Sequence, residues 1–212
     1  MSASDEMKIH ISAHRFLRSE ACLLVLLSTS IIATVTGMTA LMAFNATAGA
    51  EMASPAHWPI GTSLERSRTA QTILVFAHPF CSCTRATLEE LDTILLPRKL
   101  RDQPIVIILF SRTDSTWKPG DTWSRASKVA NASPQWDQNG NEAKLFGART
   151  SGLVLLYDAH GLLLFDGGIT ASRGHAGGNF GADRLAAALD SGHPSEEPPS
   201  RVFGCALFSR PG

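Results

Sequence analysis

Thr72-Ile-Leu-Val-Phe-Ala-His-Pro-Phe-Cys-Ser-Cys-Thr-Arg85 decides how this chain is read. The first six residues form a continuous apolar, partly β-branched run, the pattern of a strand buried on both faces. His78-Pro79 ends it. From Cys81 onward, Ala86, Leu88, Leu91, Ile94 and Leu95 recur at helical spacing until Pro97 stops the pattern. Cys81 and Cys83 therefore stand where a buried strand gives way to a helix. A thiol at such a place feels the positive end of the helix dipole and unpaired N–H groups, both of which favour thiolate. Thiolate is the nucleophile of disulfide exchange, so a reactive pair is expected, side by side at a water-accessible helix start.

Further along, Pro104-Ile-Val-Ile-Ile-Leu-Phe110 predicts a second buried strand, with Pro at its first residue where a lost N–H costs little. Residues 111–132 predict a loop and a short helix. Asp137-Gln-Asn-Gly140 is a turn, and residues 141–147 a short helix with Gly147 near its end. Two apolar runs, residues 153–157 and 162–165, flank Asp158-Ala-His-Gly161 and predict a β-hairpin. A glycine-rich stretch and a helix over 183–189 follow. The order β, α, β, α, β, β, α is that of an α/β domain with a mixed sheet.

In the other direction lies a different kind of segment. From Cys22 to Phe44 no residue is charged, and a bilayer needs about 20 apolar residues in a helix. Lys8, Arg15 and Arg18 precede this run, and no Lys or Arg follows it until Arg66. The positive-inside rule then keeps residues 1–21 cytoplasmic, makes 22–44 a transmembrane helix or signal anchor, and sends the rest outward. A cleaved signal peptide is the competing reading, with small residues at Ala46-Thr47-Ala48. The run exceeds the usual ~7–15-residue apolar region of a signal, which favours an anchor. Residues 45–70, rich in Ala, Ser, Thr, Pro and Gly, are expected as a linker, 71–190 as the folded domain, and 191–212 as a Pro-rich tail.

With 19 basic and 19 acidic residues among 212, the chain has no net charge and no basic stripe, so no nucleic-acid partner is expected. The glycine-rich stretch matches neither the dinucleotide fingerprint nor the P-loop, and no cofactor is expected.

The segment from Val75 to Arg85 resembles the strand–Cys–helix signature of thioredoxin-like proteins, and the later hairpin and terminal helix suit the same fold. Among these it looks most like membrane-anchored TlpA-type thiol-disulfide proteins, including the RedB-like group, over about residues 70–190. The resemblance implies a three-layer α/β/α thioredoxin-like fold with a mixed central sheet, preceded by one transmembrane helix. It also implies that Cys81 attacks and Cys83 resolves, with protein thiols or disulfides as partners, in a bacterial inner-membrane protein whose domain is periplasmic or otherwise extracytoplasmic. Two features depart from the family. One residue, Ser82, separates the cysteines where the family has two, so a disulfide across them closes a tight, strained ring. Thr150-Ser151-Gly152 stands where the family has a cis-proline.

Other side chains are candidate modulators. His78, three residues before Cys81, either tunes the thiol or is a hydrogen-bonded strand-end residue. Arg173 and His175, in the glycine-rich stretch, lie near the dithiol in the resembled fold, or else belong to a plain surface loop. Cys205 sits in the apolar patch Val202–Phe208 of the tail, which is expected to pack on the domain. It is either a third thiol of the site or a merely buried cysteine. A soft-metal (copper) module using Cys81, Cys83 and Cys205 is the main rival to thiol-disulfide exchange, and a non-catalytic interaction domain is a third reading.

Overall fold

A computed structural model of the chain describes residues 3–50, 53–98, 104–112 and 116–208, with side chains from residue 20 onward except that of Arg98. It divides into two compact units, Met1–Asn45 and Ala46–Gly212. The first is helix α1 (Ala3–Ala46). Its part from Glu20 to Ala46, 27 residues with a mean hydropathy of 2.0, is long and apolar enough to cross a membrane. Leu, Ile and Val side chains are exposed all along it, and Thr29, Thr34 and Thr39 return their hydroxyls to carbonyls one turn back. Such bonds satisfy these three hydroxyls without water. The side chains of Lys8, Arg15 and Arg18, on which the expected orientation rests, lie outside the described residues.

The second unit is built on five strands, β1 (Thr72–Ala77), β2 (Ile105–Arg112), β3 (Ala132–Gln138), β4 (Leu153–Tyr157) and β5 (Leu163–Gly168). Their order across the sheet is β3-β2-β1-β4-β5. β1, β2 and β3 are parallel, while β4 runs antiparallel to β1 and β5 antiparallel to β4. Helices α2 (Ser82–Leu95), α3 (Asp121–Ala126), α4 (Asn141–Leu145) and α5 (Phe180–Ser191) connect or follow the strands.

Because side chains alternate across a strand, β1 and β2 feed two cores. Ile73, Val75, Ala77, Val106, Ile108 and Phe110 meet Leu88 and Leu91 of α2 and Leu185 and Ala188 of α5 on one face. On the other, Leu74, Phe76, Ile107, Leu109, Leu155 and Tyr157 meet Ala143 of α4 together with Phe146, Leu64, Val202 and Leu207. Helices on one face and α4 with two chain segments on the other give the three-layer thioredoxin-like α/β/α fold with a mixed sheet.

Two segments do more than composition suggests. Residues 53–70, within the expected linker, lie against the second face: Trp58 packs edge-on to Phe146 and Tyr157, and the Tyr157 hydroxyl donates to Pro55 O at 2.9 Å. Glu142 of α4 accepts from the Thr62 hydroxyl and from the N–H and hydroxyl of Ser63 at 2.5–2.9 Å. The Pro-rich tail is likewise seated. Ser200 pairs with Gly168, and the Arg184 guanidinium gathers Ser195 Oγ, Glu197 O and Pro198 O at 2.6–3.1 Å.

Strand β3 is absent from the sequence expectation. It is an edge strand carrying Pro134, and its residues are mostly half-exposed, so neither an apolar run nor clean alternation announces it. Its pairing with β2 over seven residues supplies what the pattern lacks.

Candidate active site

Strand β1 ends at Ala77, and a turn closed by Cys81 N–H to His78 O at 3.2 Å delivers the chain into α2. Cys81 is the N-cap, in extended conformation, and Cys83 lies in the first helical turn. The His78 N–H donates to the Thr84 hydroxyl at 3.0 Å, fixing this turn on the helix. The site thus sits at the carboxyl end of a central parallel strand, where open α/β sheets place their ligands.

Antiparallel β4 starts at that same end, which brings Ser151 beside Cys81 from a distance of 70 residues in sequence. Ser151 Oγ donates to Cys81 Sγ at 3.3 Å. The tail arrives on top. The Ser151 N–H donates to Cys205 O at 2.8 Å, Leu207 N–H to Arg149 O at 3.0 Å, and the Cys205 N–H to Ser151 Oγ at 2.9 Å. Thr150 and Ala206 form an antiparallel bridge between these bonds. The result sets the Cys205 thiol 2.8 Å from Cys81 Sγ.

All four cysteines are free thiols. Cys81 and Cys83 are 2% and 3% exposed, whereas Cys205 is at the surface. The expectation of a water-accessible pair is therefore corrected: the pair is side by side but covered, because the tail occupies the mouth of the site. Cys205 lies beside Cys81 with its residue at the surface.

Hydrogen bonds to a sulfur favour its charged form. The Cys83 thiol has the largest effect on Cys81. Against the opposing cost of burial, Cys205, Ser151 and the Thr84 N–H add to it, and Cys81 is held down to about 4. The donors shift the other way. Cys83 is pushed far up, first by its bond to Cys81 and then by burial. Cys205 is pushed up to about 11, by burial of its inward-turned sulfur and then by its bond to Cys81, with Arg173 opposing. One thiolate held between two thiols is the electrostatic content of the site.

The predicted modulators separate. Arg173 donates to Gly204 O at 2.6 Å, so it secures the tail next to Cys205. Gly174 gives its backbone N–H toward Cys83 and has φ +69°, with Ser82 packed close to it, so the glycine-rich stretch does border the dithiol. His175 is exposed, its Nδ1 2.8 Å from Arg173 O, and it supports the loop rather than a sulfur. His78 Nδ1 accepts the Phe80 N–H at 3.3 Å. Burial lowers the His78 pKa, and the Cys81 charge raises it by a smaller amount. Ser151 is the participant that sequence reasoning missed. Its hydroxyl has no signal in a single sequence.

For the soft-metal reading on Cys81, Cys83 and Cys205, the free thiols of Cys81 and Cys205 stand 2.8 Å apart. Among the described residues no group of three His, Cys, Asp or Glu side chains is arranged to hold a metal ion.

No family model matches the chain, and no curated protein matches it. Solved structures do. An uncharacterized conserved protein from Geobacillus kaustophilus is 18% identical over 79% of this chain and 94% of its own, with a TM-score of 0.55. A hypothetical protein from Sinorhizobium meliloti is 18% identical over 78% of this chain and 96% of its own, with a TM-score of 0.54. The pneumococcal exposed lipoprotein thioredoxin from Streptococcus pneumoniae is 18% identical over 58% and 85%, with a TM-score of 0.40. What this chain shares with the first two of these proteins is the fold.

Proposed function

We propose that this protein carries out thiol-disulfide exchange at Cys81, as a TlpA-type domain held outside a bacterial inner membrane by α1. The observation that carries the proposal is the Cys81 sulfur itself, which stands at the N-cap position of α2 at the carboxyl end of the central strand and receives hydrogen bonds from Ser151 and Cys205. Such a sulfur is a thiolate at neutral pH and a good leaving group, the two properties that exchange requires. Cys81 attacks a disulfide sulfur to form a mixed disulfide and expels the other sulfur as thiolate. Cys83 then attacks Cys81, releases the substrate as thiol, and closes the inner disulfide. Run backward, the same steps deliver a disulfide.

The test is a trap. Because Cys83 and Cys205 both adjoin Cys81, both are replaced, giving Cys83→Ser/Cys205→Ser in the full chain. Incubated with oxidised glutathione in detergent, this variant is expected to hold a stable glutathione adduct on Cys81, seen by mass spectrometry after digestion. Absence of the adduct in the folded variant, with normal modification after unfolding, is the contrary result.

A further inference from the structure

Burial poses a problem for a partner that is itself a protein. Cys81 lies under the tail, and the one surface cysteine of the site is Cys205. Resting on the exchange reading above, we infer that Cys205 is the thiol through which Cys81 meets protein partners, by way of a Cys81–Cys205 disulfide carried by the C-terminal segment.

Several independent features point the same way. The two sulfurs are 2.8 Å apart, so less than about 1 Å of movement brings them to the disulfide length of about 2.05 Å. The tail is placed rather than draped: main-chain bonds join Cys205 to Ser151 and Leu207 to Arg149, and Arg173 holds the carbonyl just before Cys205. Gly204 lies so close to the Ser151 carbonyl that no Cβ fits between them. That contact fixes the height of the tail over the site. Residues 81 and 205 close no small ring, whereas the Cys81–Cys83 pair closes a tight one.

Exchange chemistry gives this disulfide a direction. A thiolate of the partner attacks the outer sulfur, Cys205 Sγ. The Cys81–Cys205 bond breaks, and its electron pair leaves on Cys81, the sulfur most stable as thiolate and hence the better leaving group. The partner is now joined to Cys205. A second thiol of the partner attacks the partner's own sulfur in that mixed disulfide, and Cys205 departs and takes up the proton which that thiol gave up. The partner dithiol has lost two electrons to the Cys81–Cys205 pair. A small or protein disulfide, reacting at the same pair, restores the oxidised form. The partner class is thus a dithiol-bearing polypeptide, too large to reach Cys81 beneath the tail.

The test uses the full chain in detergent, oxidised with oxidised glutathione and then mixed with a peptide containing one cysteine. Acid quenching, alkylation and trypsin separate residues 69–85, with Cys81 and Cys83, from the segment beginning at Val202, with Cys205. In oxidised Cys83→Ser these two segments are expected joined, in oxidised wild type a joined form is expected beside the inner Cys81–Cys83 disulfide, and after peptide addition the adduct is expected on Cys205. Transfer to a reduced dithiol peptide is expected to slow by about tenfold or more in both Cys205→Ser and Cys205→Ala, while Cys81 still takes up glutathione in Cys83→Ser/Cys205→Ser. An adduct on residues 69–85 with Cys205 left free to alkylate, together with wild-type transfer in Cys205→Ser, overturns the inference and leaves the exchange reading standing. Failure of Cys81 to take up glutathione in Cys83→Ser/Cys205→Ser overturns both.

Discussion

Ser151 joins the tail to the thiolate: its hydroxyl accepts the Cys205 N–H at 2.9 Å and donates to Cys81 Sγ at 3.3 Å. One oxygen therefore sets both the charge of the inner sulfur and the seat of the outer one. Replacing Ser151 with Ala removes a donor from Cys81 and leaves the Cys205 N–H without its side-chain acceptor. The Cys81 pKa is expected to rise by about one unit, the scale of one lost hydrogen bond to a charged group. Cys205 is expected to alkylate faster. Thiolate absorbance near 240 nm and alkylation rates check the two effects.

The pH behaviour follows from the three sulfurs. With Cys81 held down to about 4, its alkylation by a small reagent is expected to be flat from pH 6 to 8 and to fall only as pH approaches about 4. Its effect on stability has a definite sign. A depressed thiol pKa contributes stability that is complete above the unfolded value, about 8.5, and is lost as pH falls toward about 4. Cys205, raised to about 11, acts in the opposite sense, and its contribution is lost as pH climbs from about 8.5 through about 11. For the reduced protein these groups place maximum stability between the two windows. Denaturant unfolding from pH 5 to 10 is the check, and the acid-side slope is expected to shrink in Cys81→Ser.

Arg184 is a positioning residue for the tail. Its guanidinium makes four hydrogen bonds, to Ser195 Oγ twice and to the Glu197 and Pro198 carbonyls. Arg184→Ala leaves those carbonyls unpaired and is expected to destabilise the fold by about 1–3 kcal/mol. It is also expected to accelerate alkylation of Cys205 and proteolysis near residue 200. Gly204→Ala is expected to lift the tail at the other end, against the Ser151 carbonyl, and to abolish the Cys81–Cys205 disulfide. Limited proteolysis and disulfide mapping read both.

Asp137 tests a part of the fold away from the sulfurs. Its carboxylate, 2% exposed, accepts the Glu142 and Ala143 N–H groups at 2.9 and 3.0 Å and the Ser111 hydroxyl at 3.3 Å. It caps α4 from the end of β3. Asp137→Ala strands those donors and is expected to cost about 1–3 kcal/mol, seen as a lower Tm with thiolate chemistry unchanged.

What could be read from residues alone follows the strength of the local signal. β1, α2, β2 and the β4–β5 hairpin are written in runs and periods that only one structure suits, and the Cys81–Cys83 junction follows from them. β3 was missed because Pro134 and half-exposed residues make an edge strand whose stability lies in its pairing with β2. The tail was legible as an apolar patch but not as to where it docks. The Ser151–Cys81–Cys205 arrangement spans 124 residues of sequence, and only the antiparallel return of β4 assembles it. No spacing rule reaches that far.

Redox equilibration against glutathione buffers of graded ratio tests the central claim most directly, with the oxidised fraction read by mass after alkylation. The expected result is a reversible two-electron transition in wild type that vanishes in Cys81→Ser. A protein whose thiols neither oxidise nor re-reduce across the whole range, or whose transition survives the loss of Cys81, contradicts it.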